Sequence, residues 1–389
     1  MVHQPRDGSA LGHLQFIRSM NRSLVLRTIR SDQPISRGQL AERLGLGKST
    51  VSAIVDDLVE QSLVLNLGER PANGSGGRPA PLFGFNPRSR YGLGVDIGGT
   101  KIQALLTDMD GELVATRRIP TTNVVTEIVH LIREVLAEAG VEERLVLGLG
   151  VGVPGTVSGG TVVRAKALSW TNFDLGGLLA EEFGFPVFLG NDVNNAALGE
   201  RWLGAAEGRD DLVFISLGTG IGAAVVIGGE VVFGTEGRAG EIAYNVNRAD
   251  LDAGNINVLG QHGVLERRVS GHALMSRGED PKTLFEQYSR GEQRAVELID
   301  DMVAELSVVI CNAVNLLNPS TIVIGGGMAE SMGTVLPTIQ ETVAGLTPIR
   351  TNIRLASLGA LAGAYGGVAL AISRIELGVL SRPAEGGQG

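Results

Sequence analysis

The sequence predicts a mixed α/β chain in two parts, a small helical head that ends in a hairpin and a larger body built from two similar halves. Two observations carry this prediction. Lys and Arg outnumber Asp and Glu by 12 to 7 in residues 1–90, whereas Asp and Glu outnumber them by 35 to 21 in residues 91–389. In the acidic part, moreover, a strand, glycine turn and strand pattern occurs twice. A length of 389 residues fits two or three domains.

The composition is that of a globular protein. Hydrophobic residues make up 43% and charged residues 19%. No stretch approaches the ~20 apolar residues of a membrane span, and no signal peptide opens the chain. We therefore expect a cytoplasmic protein without a membrane partner. Cys311 is the one cysteine, so an intrachain disulfide is excluded, and a buried small hydrophobe is a better interpretation than a reactive thiol.

The head has the spacing of a helix-turn-helix. Apolar residues recur at helical intervals over residues 21–29, and Pro34 followed by Ser36 signals a stop and a new helix N-cap. A second helix is predicted over residues 37–44. Gly45 then allows a tight turn, and a third helix is predicted to begin at Lys48.

A winged hairpin follows the third helix. Strands are predicted at residues 63–65 and 82–85, on either side of a glycine-rich tip at residues 74–79. A basic head on an acidic body suits DNA, although charge alone would equally describe a solvated basic face. For Arg78, the alternative to a DNA contact is an ordinary solvent-exposed loop arginine. We predict operator DNA as a partner, with contacts from Ser36, Arg37, Lys48, Ser49, Thr50, Ser52 and Arg78.

The body begins with a strand at residues 91–96 and its hairpin partner at residues 102–108. The turn between them, Gly98-Gly99, lets backbone amides approach a phosphate group. Asp96 is a candidate to hold magnesium, and Thr100 and Lys101 are candidates to bond phosphate oxygens. A Gly-Gly hairpin turn is common, so this interpretation depends on what recurs downstream.

The pattern does recur. A second strand at residues 212–217 ends in another glycine turn and is followed by a strand at residues 223–227, and a third glycine run follows the strand at residues 321–324. Two such units predict duplicated α/β halves that face a nucleotide cleft, the actin-like and sugar-kinase (ribonuclease H-like) architecture. The predicted nucleotide-binding residues are Asp96, Gly98, Gly99, Thr100, Lys101, Gly218, Thr219, Gly220, Gly326 and Gly327.

Asn191 and Asp192 open a predicted helix at the carboxyl end of a strand. Asp192 is the candidate catalytic base, which would take the proton of a sugar hydroxyl as that hydroxyl attacks a phosphate, and Asn191 could hold a neighbouring hydroxyl. Helix capping is the competing interpretation for both residues.

These motifs resemble the ROK family of sugar kinases and sugar-responsive repressors, and the head resembles that of its regulator branch. The resemblance is carried by residues 96–101, residues 217–222, and Asn191-Asp192 with Ala196, Ala197, Gly199 and Glu200. It implies a sugar site. The residues assigned to that site are Gly155, Asn191, Asp192, Glu241, Tyr244 and Glu266.

The chain departs from the family at a metal loop. Tyr244 stands where the family has a histidine, and the three cysteines of its zinc loop align best with Asn257, Leu259 and Val264. Structural zinc is therefore not expected, and no zinc ligand is assigned. His262 is a potential zinc ligand, but an exposed loop histidine is the better interpretation. Tyr244 either changes which sugar fits or fills space.

The expected function is a sugar-responsive transcriptional regulator, most simply a repressor, whose effector is a sugar or sugar phosphate. An ATP-dependent sugar kinase is the alternative, and Mg-ATP is its expected cofactor; regulation alone requires none. A DNA-binding scaffold without a small ligand explains the head but not Glu241 and Glu266, nor Asn191-Asp192. A homodimer would suit paired half-sites on DNA.

The expected domain boundaries are a flexible segment at residues 1–20, the head at residues 21–87, the two-lobed body at residues 88–378 and a disordered tail at residues 379–389.

Overall fold

The computed structural model describes residues 8–69, 80–122 and 124–376. Arg78, the predicted tip at 74–79 and the predicted tail at 379–389 lie outside these ranges. Among the described residues, no helix is both long and apolar enough to cross a membrane.

The chain divides into two compact units. The first takes in the residues before Gly92, together with Asp108–Asp110 and the residues after Ile372. The second comprises Gly92–Thr107 and Gly111–Ile372. The head belongs to the first unit, and nearly all of the body belongs to the second.

The first unit is a three-helix head with a small antiparallel sheet. Its helices are α1 (Gly8–Asp32), α2 (Arg37–Leu44) and α3 (Lys48–Glu60). Its strands, in the sheet order β1-β3-β2, are β1 (Ile35–Ser36), β2 (Val64–Glu69) and β3 (Pro81–Phe85). Apolar side chains from every helix are buried together: Val25, Ile29, Leu40, Val51, Val55, Leu58 and Phe83. The predicted helix-turn-helix and hairpin are confirmed.

Local signals define the second helix of the head. The Ser36 side chain accepts a hydrogen bond from the Gln39 amide, and the Gln39 side chain in turn accepts one from the Ser36 amide, so the two form a capping box. Gly45 ends the helix with φ +63°, a left-handed conformation that a residue with a Cβ adopts only with strain.

The first helix is longer than its sequence pattern indicated. Residues 8–20 are helical, so the expectation of a flexible segment through residue 20 was wrong for this part. Extending a helix costs much less than nucleating one, and residues 8–20 contain no proline that would stop the extension. Arg22 then fixes α1 to α3 through an ion pair with Asp57 at 2.9 Å.

The body contains two five-stranded sheets and one small sheet. The first large sheet, in the order β11-β7-β4-β5-β6, is formed by β4 (Tyr91–Ile97), β5 (Lys101–Asp108), β6 (Leu113–Pro120), β7 (Val146–Val153) and β11 (Val187–Asn191). The small sheet consists of β8 (Thr156–Ser158), β9 (Thr161–Ala165) and β10 (Trp170–Phe173). The second large sheet, in the order β14-β13-β12-β15-β16, is formed by β12 (Leu212–Leu217), β13 (Ile221–Ile227), β14 (Glu230–Val231), β15 (Thr321–Gly325) and β16 (Asn352–Leu355).

The two large sheets repeat one topology. In each, three consecutive strands form a meander, and two later strands are added on the other side of its first strand. In the second sheet β12 pairs antiparallel with β13 and parallel with β15, which in turn is parallel to β16. The predicted duplicated α/β architecture is therefore confirmed.

Helices connect and cover these sheets. In the first lobe they are α4 (Val124–Ala139) and α5 (Leu175–Phe183), while α6 (Asp192–Leu203) contacts strands of both large sheets. In the second lobe they are α7 (Arg248–Asp252), α8 (Glu266–Val269), α9 (Gly271–Ser276), α10 (Pro281–Ser289), α11 (Gln293–Leu317) and α12 (Leu336–Leu346). The last is α13 (Ala362–Glu376). Cys311 is buried in α11, as predicted.

Helix α13 lies unusually close to the first large sheet. A Cβ at Gly94 of β4 would come within 1.9 Å of the Ala364 carbonyl oxygen, and one at Gly150 of β7 would come within 1.8 Å of the Gly367 oxygen. Only glycine permits this approach of two backbones. The same packing brings the start of α13 to the carboxyl end of β4.

Candidate functional site

A cavity of about 310 Å³ lies in the body, at the strand ends of both large sheets. It contains six of the ten predicted nucleotide-binding residues together with the candidate base, namely Asp96, Gly98, Thr100, Lys101, Gly326, Gly327 and Asp192. The fold thus gathers residues that are more than 200 positions apart in the chain.

The remaining four predicted nucleotide residues do not line this cavity. Gly99 is exposed. Residues 218–220 form a turn whose carbonyls accept hydrogen bonds from the Gly271 amide at 2.8 Å and the His272 amide at 3.0 Å. A Cβ on Gly220 would come within 2.5 Å of Glu266 Oε1, so this turn packs against a predicted sugar-binding glutamate.

The cavity has polar walls that sequence reasoning missed. Arg118 of β6 donates a hydrogen bond from Nε to Gln103 Oε1 of β5 at 2.7 Å, and both side chains line the cavity together with Ser216 and Glu330. Gln103 and Arg118 are direct partners in the strand register. The hairpin pattern could have indicated that these two residues share a face, but only the fold shows which cavity they reach.

Asp96 is the most perturbed carboxyl group of the cavity. Burial raises its pKa from 3.8 to about 7, and repulsion from Asp192 adds to the shift. Its Oδ1 atom is buried and accepts no hydrogen bond from any described residue. Cβ atoms at Gly152 and Gly363 would lie 2.8 and 2.7 Å from this oxygen, so two glycines enclose it. An enclosed carboxylate oxygen without a donor fits a magnesium ion or its water.

Asn191 and Asp192 stand where β11 passes into α6. Asn191 caps the helix, because its Oδ1 accepts hydrogen bonds from the amides of Val193 and Asn194 at 3.0 and 3.1 Å. Its Nδ2 donates to the Gly155 carbonyl at 3.1 Å and to Asp192 Oδ1 at 2.9 Å. Asn191 therefore caps α6 and orients Asp192 at the same time.

Asp192 is poised to exchange a proton near neutral pH. Burial raises its pKa to about 6, hydrogen bonds from backbone amides and Asn191 oppose the shift, and Glu241 raises it further. A base whose pKa lies near the working pH combines the correct protonation state with sufficient basicity.

The two predicted sugar glutamates share an electrostatic environment with Asp192. Desolvation raises the pKa of Glu241, with an opposing effect of Arg238 and a raising effect of Glu266. Glu266 is largely buried; its Oε2 accepts a hydrogen bond from the Gly263 amide at 3.2 Å and lies 3.1 Å from His262 Nδ1. Asp192, Glu241 and Glu266 thus form an acidic group beside the cleft.

Tyr244 lies in the loop that leads to Glu266. Its hydroxyl accepts a hydrogen bond from the Gly260 amide at 3.2 Å and donates one to the Gln261 carbonyl at 3.3 Å. Gly155, the remaining predicted sugar residue, approaches the Arg164 carbonyl so closely that a Cβ would lie 2.2 Å from it. In this structure both residues hold loops together, and a direct sugar contact from either stays a prediction.

Glu200 stabilises the backbone next to the cavity, a role that its position in the sequence did not reveal. It is fully buried. Its Oε1 accepts hydrogen bonds from the amides of Ser357 and Leu358 at 3.0 and 2.8 Å, while Oε2 accepts one from the Ala205 amide at 2.7 Å. Glu200 therefore ties α6 to the segment that precedes the cavity-lining residues of α13.

The predicted DNA contacts in the head fall into two groups. Lys48, Ser49 and Thr50 are exposed at the beginning of α3, and Ser52 is partly exposed two residues after Thr50. Ser36 is buried, with its hydroxyl bonded to Gln39, whereas Arg37 pairs with Asp56 and lies over the Phe83 ring at 5.0 Å from the centroid. The exposed start of α3 is therefore the part of the helix-turn-helix that a DNA groove could contact.

Comparison with known proteins identifies the family. A family model described as "ROK family" matches residues 92–374, which is almost three quarters of the chain. The chain belongs to the ROK family. A second model, described as "MarR family", matches residues 19–78 and so covers the second half of α1 together with α2 and α3 of the head.

ROK relatives include both regulators and enzymes. A xylose repressor of Bacillus spizizenii is 28% identical over 343 residues and covers 84% of this chain and 87% of its own length. A glucokinase of Halalkalibacterium halodurans is 31% identical over 309 residues and covers 72% of this chain and 94% of its own length. The crystal structure of a ROK family transcriptional regulator, a homolog of the E. coli MLC protein, superimposes with a TM-score of 0.76 at 24% identity over 94% of this chain and 98% of its own. This last match supports the fold of head and body alike.

Proposed function

We propose that this ROK protein is a sugar-responsive transcriptional repressor of carbohydrate uptake or metabolism genes. The carrying observation is that one chain combines a winged head, whose recognition helix begins with exposed Lys48, Ser49 and Thr50, with an acidic ligand cleft in the body. A regulator needs both parts, whereas a kinase needs only the second. The similarity to a xylose repressor extends over more of the chain than the similarity to a glucokinase, which also favours regulation.

The DNA side of the proposal rests on α3. Its first turn offers a cation and three hydroxyl groups, which suit phosphate oxygens and base edges in a major groove. The N-cap is Gly47, so no N-cap side chain accepts a hydrogen bond from the amides of the first turn. Arg78, in the wing, stays a proposed minor-groove contact, and Ser36 and Arg37 contribute by holding α2 beneath α3.

The effector side rests on Glu241 and Glu266. Paired carboxylates are good acceptors for the vicinal hydroxyls of a neutral sugar, and Asp192 interacts electrostatically with Glu241, which in turn interacts with Glu266. A pentose such as xylose is the first sugar to test, because of the repressor relative. Binding controls transcription only if the sugar favours one arrangement of the protein over another, and in the proposed homodimer that arrangement is the spacing of two heads on two half-sites.

The test separates DNA binding from sugar response. Duplexes selected from a random library by the purified full chain supply an operator, and fluorescence anisotropy then measures its affinity with xylose, glucose or N-acetylglucosamine added. We expect at least one sugar to weaken operator binding about tenfold or more, a typical allosteric coupling. Failure to select any preferred duplex, or affinity that no sugar changes, would contradict the proposal. Lys48→Ala, which should weaken only DNA binding, is the matched control.

An ATP-dependent sugar kinase is the second candidate, because the cleft keeps the residues for phosphate and proton chemistry. Lys101 and Arg118 bring positive charge to the cavity where phosphates would lie, and Asp96 would hold magnesium through its buried Oδ1. Magnesium supplies neutralisation of phosphate charge. Asp192 would accept the proton of the attacking sugar hydroxyl, and Asn191 holds the carboxylate in place for this role.

The kinase candidate is tested by ADP release from Mg-ATP across hexoses, pentoses and N-acetylated sugars. Sugar-dependent ADP that disappears in Asp192→Asn would make the protein bifunctional. Turnover that survives in this variant would contradict the assignment of the base, and no turnover with any sugar would leave regulation as the sole function.

A further inference from the structure

The sugar-side loop, residues 244–268, is where the family resemblance implies a zinc-binding cysteine loop. The positions that align with the three cysteines hold Asn257, Leu259 and Val264. Zinc in proteins is bound by thiolate, imidazole and carboxylate groups, and a carboxamide or an aliphatic side chain cannot replace them. In the described part of the chain, no group of three or more His, Cys, Asp and Glu side chains is arranged to hold a metal ion. The residues present do not fit structural zinc.

Asn257 instead joins the two ends of the loop. Its Nδ2 donates a hydrogen bond to the Tyr244 carbonyl at 2.7 Å, and its Oδ1 accepts one from the Val264 amide at 2.9 Å. Val264 is only 2% exposed, so this amide would be costly to leave without an acceptor. One carboxamide therefore bridges two backbone positions that are 20 residues apart in sequence.

Tyr244 adds a second crosslink within the loop. Its hydroxyl bonds to the Gly260 amide and the Gln261 carbonyl, between the two positions that Asn257 connects. The backbone of Tyr244 is thus fixed by Asn257, and its side chain fixes the middle of the loop.

An ion-pair network anchors the far end. Asp250 is 2% exposed, and its Oδ1 accepts hydrogen bonds from Arg268 Nη1 at 2.6 Å and Asn255 Nδ2 at 3.0 Å. Arg268 Nη2 also donates to Glu305 of α11 at 3.2 Å. Arg268 holds the pKa of Asp250 far below its ordinary value, at about 2, so this carboxylate stays charged at any physiological pH. The network ties the loop to the long helix of the lobe.

Glu266 lies between these two anchors. It follows Val264 by two residues and precedes Arg268 by two. We propose that a metal-free clasp, formed by Asn257, Tyr244 and the Asp250–Arg268–Glu305 network, replaces the zinc of this loop and positions Glu266 for the effector. The role of Glu266 as a sugar ligand comes from the proposed function, whereas the clasp itself stands on the hydrogen bonds above.

Hydrogen exchange of the full chain tests the clasp without any sugar. We expect the Val264 amide to be protected in the wild type and to exchange about 10- to 100-fold faster in Asn257→Ala, because the variant removes its acceptor. Ile256→Ala is the matched control, since Ile256 adjoins Asn257 and is 74% exposed. Asn257→Asp keeps an oxygen acceptor for the Val264 amide but loses the donor to the Tyr244 carbonyl, so its Val264 amide should exchange more slowly than in Asn257→Ala and faster than in the wild type. Equal exchange in Asn257→Ala and Ile256→Ala would overturn the clasp.

Metal content and sugar affinity complete the test. Elemental analysis should find no stoichiometric zinc, and EDTA should leave exchange in the loop unchanged; bound zinc whose removal loosens the loop would overturn the proposal. Sugar affinity should fall about tenfold or more in Asn257→Ala, with the unfolding midpoint and operator affinity retained. A loosened loop with full sugar affinity would overturn the positioning of Glu266. A wild type that binds no sugar would instead contradict the proposed function, while the exchange experiment still decides the clasp.

Discussion

Replacing Asp96 with asparagine should stabilise the body, and increasingly so as the pH rises. In the folded protein the pKa of Asp96 is raised from 3.8 to about 7. A carboxyl group with a raised folded-state pKa contributes stability below its unfolded pKa and loses that contribution as the pH rises through the folded value. Asparagine keeps nearly the same shape and never ionises, so the variant escapes this loss.

The size of the effect follows from the two pKa values. Ionisation of a group with pKa 3.8 in the unfolded chain and about 7 in the folded protein lowers the free energy of unfolding by roughly 2–3 kcal/mol between pH 5 and pH 8. Removing the charge also relieves Asp192, which acts in the same direction. We therefore expect the advantage of Asp96→Asn over the wild type to grow by about 2–3 kcal/mol over this pH range.

Urea unfolding at several pH values between 5 and 8, with EDTA present, measures this difference. Both tryptophans, Trp170 and Trp202, lie in the second unit, so their fluorescence reports on the body rather than the head. Asp301→Asn removes an exposed carboxylate and is the control that should show no such gain. When magnesium replaces EDTA, the pH dependence of the wild type alone should decrease, because a cation at Asp96 favours the ionised form. Stabilities of variant and wild type that run parallel from pH 5 to 8 would refute the reasoning.

Three further predictions test the remaining assignments. Lys48→Ala should weaken operator binding and reduce the slope of log K against log salt by about 1. Lys282 is an exposed lysine of the body, so Lys282→Ala should change neither quantity. An unchanged slope in Lys48→Ala would show that α3 is misplaced on DNA. Glu241→Gln should lower sugar affinity, measured by calorimetry, about 10- to 100-fold but preserve DNA binding by the sugar-free protein. Glu236→Gln, a nearby exposed position, is the control and should keep normal sugar affinity. Normal sugar affinity in Glu241→Gln would exclude Glu241 from the sugar site. If turnover occurs, its rate should rise with pH through about 6 and then level off, as Asp192 loses its proton, and a profile flat between pH 5 and 8 would exclude Asp192 as the base.

Local sequence signals predicted most of the fold. The capping serine at Ser36, the turn glycine at Gly45 and the glycine turn after β4 each act within a few residues, and the structure has each of them where the pattern placed it. The repeated strand and turn pattern sufficed for the duplicated body, because equal patterns fold into equal sheets. The start of α1 was missed, since helix propagation leaves a weak local signal.

The candidate site was predicted only where its residues lie in motifs. Arg118 reaches the cavity because the β5–β6 register and the fold of the lobe place it there, and neither is encoded near Arg118 itself. The enclosure of Asp96 depends on Gly363, and the support of the cleft depends on the contact of Glu200 with Ser357. Such contacts join distant segments, so a single sequence does not reveal them. Asn257 was recognised as a departure from the family, but its bridging role required atomic positions.

The close packing of α13 on β4 has a consequence for synthesis of the chain. The carboxylate of Asp96 is enclosed in part by Gly363, which leaves the ribosome about 270 residues later. At translation rates of ~5–20 residues per second, Gly363 is synthesised roughly 15–50 s after β4. The core of the head, by contrast, uses residues 25–85, all of which precede β4 in the chain. The DNA-reading part of the newborn chain is therefore finished long before the ligand cleft that is proposed to control it.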